Sequence, residues 1–509
     1  MLFERGNQSR RGFLTRTAGA FAVAGFPAWY GQQQALAAAA PVRRPAANDK
    51  LTMGFVGIGS PQSRSMSGDL YGGAKKYKAE CAAVCDVDAR HLKRAADQFK
   101  TDGFEGVKTF TDFRRLTDDK TIDTVLVATP DHWHTLVAID ALRKGKDVYC
   151  EKPLTLTIEE ALALKTVVEQ TGRVLQTGNQ QRTEFGGRFR LASEIVRSGR
   201  LGKVTKIECR IGDNPQSGPI PEAPVPEGLD WDLWLGPTAK VPYRMSKDGR
   251  NTNCHYEFRW WYDYSGGKLT DWGAHHIDIA QAMLGMDGSG PTGVEKVSAT
   301  EPYAGGDGYN THKDFRVKFT YPGGVEVLVT GTQGSDVKGL HQADGKLPTR
   351  RDRKYETVKE TVDGKEVSKK TFKDTFVPVD TVSGGENGVM VFGELGNLFV
   401  SRGQLLATDA KILSEPLKEM TALYPTVAKG AGGDHIANFF DCVKSRDKPI
   451  CHVGVGAGSV IVCHLAAVAL RTGKPLTWDA KASRFTGANA DAGNAQISRP
   501  KRAPWKLDV

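Results

Sequence analysis

Leu51-Thr52-Met53-Gly54-Phe55-Val56-Gly57-Ile58-Gly59 is an apolar run ending in two glycines one residue apart, and its reading decides the fold. By composition the run is a buried strand, and the glycines turn the chain at its end. Strand patterns recur at Ala79–Cys85, Thr121–Ala128, Asp147–Cys150 and Arg173–Thr177, and helical patterns fall between them at Ala89–Phe99, Trp133–Lys144 and Thr157–Gln170. Regular alternation of β and α predicts an α/β fold with a doubly wound parallel sheet. Such a sheet binds a dinucleotide when the backbone of the first turn reaches the pyrophosphate and an acid takes the ribose hydroxyls. Gly57, Ile58 and Gly59 supply the turn, and Asp86, closing the second strand, supplies the acid. The third glycine of a GxGxxG turn is absent, with Gln62 in its place after Pro61. A carboxylate at Asp86 repels a 2′-phosphate, so NAD is the expected cofactor; Arg90 or Arg64 would reverse that, which keeps NADP as the alternative.

Ahead of this region lies a different kind of segment. Residues 1–40 have a basic start, an apolar stretch from about Thr17 to Trp29, and small residues at Ala35-Leu36-Ala37 and Ala38-Ala39-Ala40. That is the layout of a signal peptide, and the stretch is short and rich in Ala and Gly for a membrane anchor. Ser9-Arg10-Arg11-Gly12-Phe13-Leu14 resembles the bacterial twin-arginine motif, which implies export of a folded protein by the twin-arginine machinery to the periplasm. A linker, 41–50, follows. No other segment is expected to approach membrane-spanning length.

The 509 residues carry 69 Lys+Arg against 59 Asp+Glu, and 39% are hydrophobic. That is ordinary globular composition, which excludes fibrous and wholly disordered classes. A net charge of +10 leaves polyanions open as partners until the charge is located. Residues 1–40 carry net +3, residues 346–373 ten basic and five acidic groups, and residues 481–509 six basic and two acidic. The remaining body is therefore near neutral, which argues against nucleic acid and suits an uncharged ligand. The eight cysteines form no CxxC pair and read mostly as buried thiols, with Cys442–Cys451 the one pairing to consider; no metal site is expected.

Three further motifs fall where this architecture binds ligands: Thr129-Pro130-Asp131-His132-Trp133-His134, Glu151-Lys152-Pro153, and Gly266-Gly267-Lys268-Leu269-Thr270-Asp271-Trp272-Gly273-Ala274-His275-His276-Ile277-Asp278. Together with the glycine turn they resemble the Gfo/Idh/MocA oxidoreductases, relatives of glucose–fructose oxidoreductase and inositol dehydrogenase, from about Leu51 onward. The resemblance implies an N-terminal Rossmann domain, 51–178, and a C-terminal α/β domain, 179–480, with an open, mainly antiparallel sheet that also serves oligomerisation. It places Lys152 between nicotinamide and sugar, carries the DxGxH aspartate and histidine onto Asp271 and His275, and sets Pro130, Asp131, His134 and Glu151 beside the cofactor. Asp131 departs from the family's more usual Asn. Gln180-Gln181-Arg182 falls where a family segment enters the second domain, so Arg182 is a candidate for substrate.

The chemistry is readable independently. Oxidising an alcohol needs a base for the hydroxyl proton and a cation for the developing alkoxide. His275 suits the first role and Lys152 the second. Asp271, four residues before His275, shares its helical face and either orients the imidazole or adds a carboxylate to the substrate site; Asp278 falls near that face too. Tyr256-Glu257-Phe258-Arg259-Trp260-Trp261-Tyr262-Asp263-Tyr264 holds six aromatics before this motif. Aromatic faces stack on sugar rings but also fill cores, so Arg259 and Trp260 are the positions singled out for substrate. His435, at the head of a helical pattern Asp434–Lys444, is expected exposed; a second helical pattern is Gly454–Arg471. Residues 346–373 read as an exposed hairpin insertion, and 481–509 as a tail. The expected protein is an exported NAD(P)-dependent oxidoreductase of a sugar, polyol or glycoside with tightly held cofactor. The alternatives are a redox-neutral glycoside hydrolase, lyase or epimerase working through a keto-sugar, and a sugar-binding protein without catalysis.

Overall fold

The computed structural model describes residues 25–27, 29–30, 50–61, 70–77, 79–362, 365–417 and 435–509. Ser9–Leu14, Gln62 and Arg64 lie outside them. Six parallel strands, β1 (Thr52–Val56), β2 (Glu80–Cys85), β3 (Lys108–Phe110), β4 (Thr124–Val127), β5 (Asp147–Cys150) and β6 (Leu175–Thr177), lie in the order β3-β2-β1-β4-β5-β6. Strand order reverses between β1 and β4, so the ligand crevice of this architecture opens at the end of β1. Every residue of β4 and β5 is buried because helices cover both faces. β3 has no counterpart among the expected strands: it is three residues long, Lys-Thr-Phe, with no residue buried.

The second sheet runs, edge to edge, Leu405–Ala407, Gly396–Val400, Gly388–Gly393, Val204–Arg210, Glu326–Thr330, Phe315–Thr320, Gly293–Ala299, Leu476–Asp479 and Arg484–Thr486. All its pairings are antiparallel except Val204–Arg210 with Glu326–Thr330. The helix Val453–Thr472 joins the two halves. Its Ala457 and Val460 pack in the Rossmann core, and Val462 through Leu470 in the core under the second sheet. Contrary to expectation, this helix is long and apolar enough to cross a membrane, yet most of it is buried inside the protein. The helix His435–Ser445 packs Ile436, Phe439 and Phe440 onto the other face of the Rossmann sheet.

The insertion is a two-stranded ribbon, Thr349–Val362 with Lys365–Pro378, which starts inside the expected 346–373 and runs on past its end. The final residues are not a loose tail. Trp505 packs edge-on against Trp133 at 4.7 Å, Lys501 pairs with Glu160 at 2.8 Å, and Arg502 donates to Asp232 at 2.7 Å. At the other terminus Phe26 and Tyr30 are buried against the second domain, and Trp29 donates to Leu413 O at 3.1 Å. All eight cysteines are free and buried.

Candidate active site

The end of β1 meets the end of β4 so closely that only glycine fits. Gly57 has φ +79°, and a Cβ there would lie 2.7 Å from the Thr129 backbone. Gly59 is needed for another reason: its Cβ would overlap the carbonyl of His91, in the helix Ala89–Thr101. Above the turn opens a cleft of about 680 Å³, a size suited to a small-molecule site. One wall is the strand ends, with Gly57, Asp86, Pro130, Asp131, His134, Glu151 and Lys152. The other comes from the second domain, with Arg259, Asp271, Trp272, His275 and Arg402.

Lys152 and Asp271 bridge the two walls, Nζ to Oδ1, at 2.5 Å, and the Arg259 Nε lies 3.8 Å from the same oxygen. Burial alone would raise the Asp271 carboxyl, but the ammonium of Lys152 and then the guanidinium of Arg259 hold it well below the usual carboxylate range. Asp271 thus serves the lysine and does not orient His275. The His275 Nδ1 is buried without a hydrogen-bond partner among the described residues. Burial, then the charges of Lys152 and Arg402, push its imidazole well below the ordinary histidine range. The ring is neutral at working pH, with a nitrogen free to take a proton from a ligand.

Asp131 accepts from Ser265 Oγ at 2.5 Å, and burial lifts its carboxyl to about 7. Its raised pKa means the folded state favours the protonated acid, so its contribution to stability declines as pH rises from the unfolded value near 4 toward 7. Asp131→Asn keeps an acceptor for Ser265 and is expected to raise Tm by about 2–4 °C at pH 8, and by less at pH 5, by differential scanning calorimetry. An equal shift at both pH values would contradict this account. His134 places Nδ1 2.7 Å from Pro153 O and Nε2 2.9 Å from Thr129 O, tying together the loops after β4 and β5. Glu151 accepts from Gln180 Nε2 at 2.7 Å.

Five singled-out residues lie elsewhere. Arg182 is 1% exposed and forks onto Asp278 at 2.7 and 2.8 Å and onto Asp287 at 2.7 and 2.6 Å, so Arg182 and Asp278 hold the second domain together rather than touch substrate. Trp260 is buried, donating to Glu257 at 2.7 Å. Ile58 turns its side chain into the Rossmann core. His435 is buried, not exposed, between Thr177 O at 2.8 Å and Thr183 Oγ1 at 3.0 Å. Arg182→Ala strands a buried carboxylate and is expected to cost about 3–5 kcal/mol in denaturant melts, with KM of the surviving folded protein unchanged. A raised KM at wild-type stability would return Arg182 to the substrate site.

Several lining residues escaped the sequence reading. Arg402 stacks on Trp272 at 4.5 Å and on Phe185 at 4.6 Å, and donates to Gln181 at 3.2 Å. His91 and His255, whose rings are 4.5 Å apart, line the cleft near Asp86. Their signal is long-range contact, which no local pattern carries.

The residues present fit a dinucleotide. Gly57 leaves room at the crevice, Thr129 Oγ1 and His275 Nδ1 are buried polar atoms without a partner among the described residues, and Asp86 faces the same space. Arg90 forks onto Asp88 at 2.9 and 2.6 Å, so it is committed away from a 2′-phosphate, and NAD remains the cofactor the site favours.

Fold and cleft together define a two-domain protein with an NAD-binding Rossmann fold. The sequence profile of an oxidoreductase family with NAD-binding Rossmann fold, Gfo/Idh/MocA, matches residues 51–179, and that of the family's C-terminal alpha/beta domain matches 215–364 and 414–507. The chain belongs to the Gfo/Idh/MocA oxidoreductase family. It is 27% identical over 183 residues to an inositol 2-dehydrogenase of Salmonella paratyphi B, covering 35% of this chain and half the length of that relative. It is 27% identical over 168 residues to a glycosyl hydrolase family 109 protein of Shewanella pealeana, covering 32% of this chain and 35% of the relative. The aldose-aldose oxidoreductase of Caulobacter crescentus, solved with glycerol, shares the fold with TM-score 0.53 at 18% identity, over 84% of this chain and 100% of the other.

Proposed function

We propose that the cleft oxidises a hydroxyl-bearing carbon of a neutral sugar, polyol or glycoside. The observation carrying this reading is the pairing, in one NAD-binding cleft, of a lysine bridged to a carboxylate with a neutral imidazole whose nitrogen has no partner. Bound NAD supplies the hydride acceptor. His275 takes the hydroxyl proton, and Lys152 stabilises the alkoxide as the carbonyl forms. Asp271 fixes the position and charge of Lys152. Trp272, Phe185 and Tyr256 offer apolar faces to a ring. The inositol dehydrogenase relative acts on a polyol, which supports the substrate class.

Export by the twin-arginine route to the periplasm is part of the proposal, on the strength of Ser9–Leu14, as is a homo-oligomer. Outside the cytoplasm free NAD is not replenished, so the nucleotide is held through turnover. The similarity to a glycosyl hydrolase family 109 protein favours a second reading, in which a keto-sugar formed here eliminates its glycosidic group, takes up water across the new double bond and is reduced again by the NADH first formed. A sugar and glycoside panel added to purified protein distinguishes these. Nicotinamide absorbance near 340 nm that stays with the protein while product forms supports a closed cycle; free NADH accumulating with product supports net oxidation. No change with any sugar or polyol would sink both.

A further inference from the structure

Residues 215–264 leave the second domain, build an aromatic cluster of their own around Trp234, Tyr243, Trp261 and Tyr264, and cross to the Rossmann domain. They are fastened there at two places. Beside β2, Ala89 N donates to Gly228 O at 2.8 Å and Asp230 N to Val87 O at 3.0 Å, while His255 brings Nε2 within 3.2 Å of Asp88 Oδ2. Beside β4, Trp133 Nε1 donates to Leu233 O at 3.1 Å and to Trp234 O at 3.0 Å. His255 lies against His91, ring centres 4.5 Å apart, and Leu233, Trp234 and Tyr256 line the same cleft as Asp86. The crossing segment is therefore a roof over the end of β2, where the ribose acid Asp86 lies.

At β2 the crossing segment packs its aromatic cluster on Val87, and His255 adds a polar side-chain contact, to Asp88. Its backbone holds φ +46°, a conformation that side-chain-bearing residues adopt at a cost and keep where surrounding contacts impose it. Asp88 is fully buried. Burial would raise its carboxyl, but His255 and the Arg90 fork hold it well below the usual range, so it is a charged anchor for the imidazole. Asp88, His91 and His255 each place one ligand atom within 4.8 Å of the others, yet that carboxylate already carries the Arg90 fork, so the contact needs no metal to balance its charge.

We propose that His255 is a positioning residue that latches this roof over the adenosine half of the dinucleotide, so that NAD stays bound between catalytic cycles. The inference rests on the NAD reading of the cleft and adds to it a residue of the second domain. Full-length protein, loaded with NADH and desalted, is compared with His255→Ala, His255→Gln and Asp88→Asn for nucleotide retained, by mass spectrometry and nicotinamide fluorescence, and for dissociation rate after a chase with excess NAD. The wild type is expected to retain NADH, and His255→Ala to release it about tenfold faster, the equivalent of about 1.4 kcal/mol. Asp88→Asn, which preserves the helix N-cap, is expected to move the same way. His255→Gln, whose amide can donate to Asp88, recovers part of the loss. Melting temperatures of the nucleotide-free forms separate this from unfolding. Wild-type dissociation rates in both His255→Ala and Asp88→Asn overturn the latch alone. A wild type that binds no dinucleotide overturns the NAD reading and the latch with it.

Discussion

Lys152→Ala is expected to lower kcat/KM by about 10²–10³-fold while the protein still binds NAD. The ammonium is the positive charge held between the Rossmann strand ends and the second domain, 2.5 Å from Asp271, with both side chains about 15% exposed or less. In so dry a place a fixed charge beside a developing alkoxide is worth far more than in water. Removing it also leaves Asp271 to the more distant cations, Arg259 at 3.8 Å and Lys268. The pH dependence follows from the sign of the shift. The depressed Asp271 carboxyl contributes stability above its unfolded pKa near 4, and loses it as pH falls toward the folded value. The variant is therefore less stable than wild type at pH 7, and the gap closes in acid. Thermal melts at pH 7 and at about pH 2, inside the window below the unfolded pKa, check this, and steady-state kinetics on the sugar identified by the panel check the rate. Unchanged kcat/KM would remove Lys152 from the reaction.

His275→Ala is expected to cost about 10²–10⁴-fold in kcat, the range for loss of a positioned general base. Its imidazole is held neutral by burial and by neighbouring cations. Wild-type kcat/KM should thus show no acid limb from a histidine of ordinary pKa near 6.5. A limb near 7 is expected instead from Asp131, whose carboxyl burial lifts to about 7, and Asp131→Asn should abolish it. Should the limb survive in Asp131→Asn and vanish in His275→Gln, the histidine would titrate normally and the electrostatic account of the site would be wrong.

What the sequence made legible was local. The apolar run into Gly57, the acid closing β2, the lysine after β5 and the DxGxH histidine each sit in a few consecutive residues whose strand or turn context is set nearby. The cleft assembles them because a doubly wound sheet delivers its strand ends to one edge. Illegible were pairings between distant parts of the chain. Asp278 shares a helix with His275, but on that helix it faces Arg182 and Ser459, the latter at 2.7 Å, which spacing alone does not distinguish from a place in the cleft. Asp271 was expected to orient His275, four residues on, or to add a carboxylate to the substrate site, and it pairs with Lys152, 119 residues away. His255 and Arg402 become part of the site only once the second domain folds over the first.

The central claim is hydride transfer from a sugar carbon to NAD in this cleft. Its most direct test uses the substrate found by the panel, deuterated at the carbon that is oxidised, in a single turnover with the NAD-loaded protein, followed by mass spectrometry of the released nucleotide. One deuterium on the nicotinamide, formed in wild type and not in Lys152→Ala or His275→Ala on the same timescale, is the predicted result. Product formed with the deuterium lost to water and none on the nucleotide would contradict it.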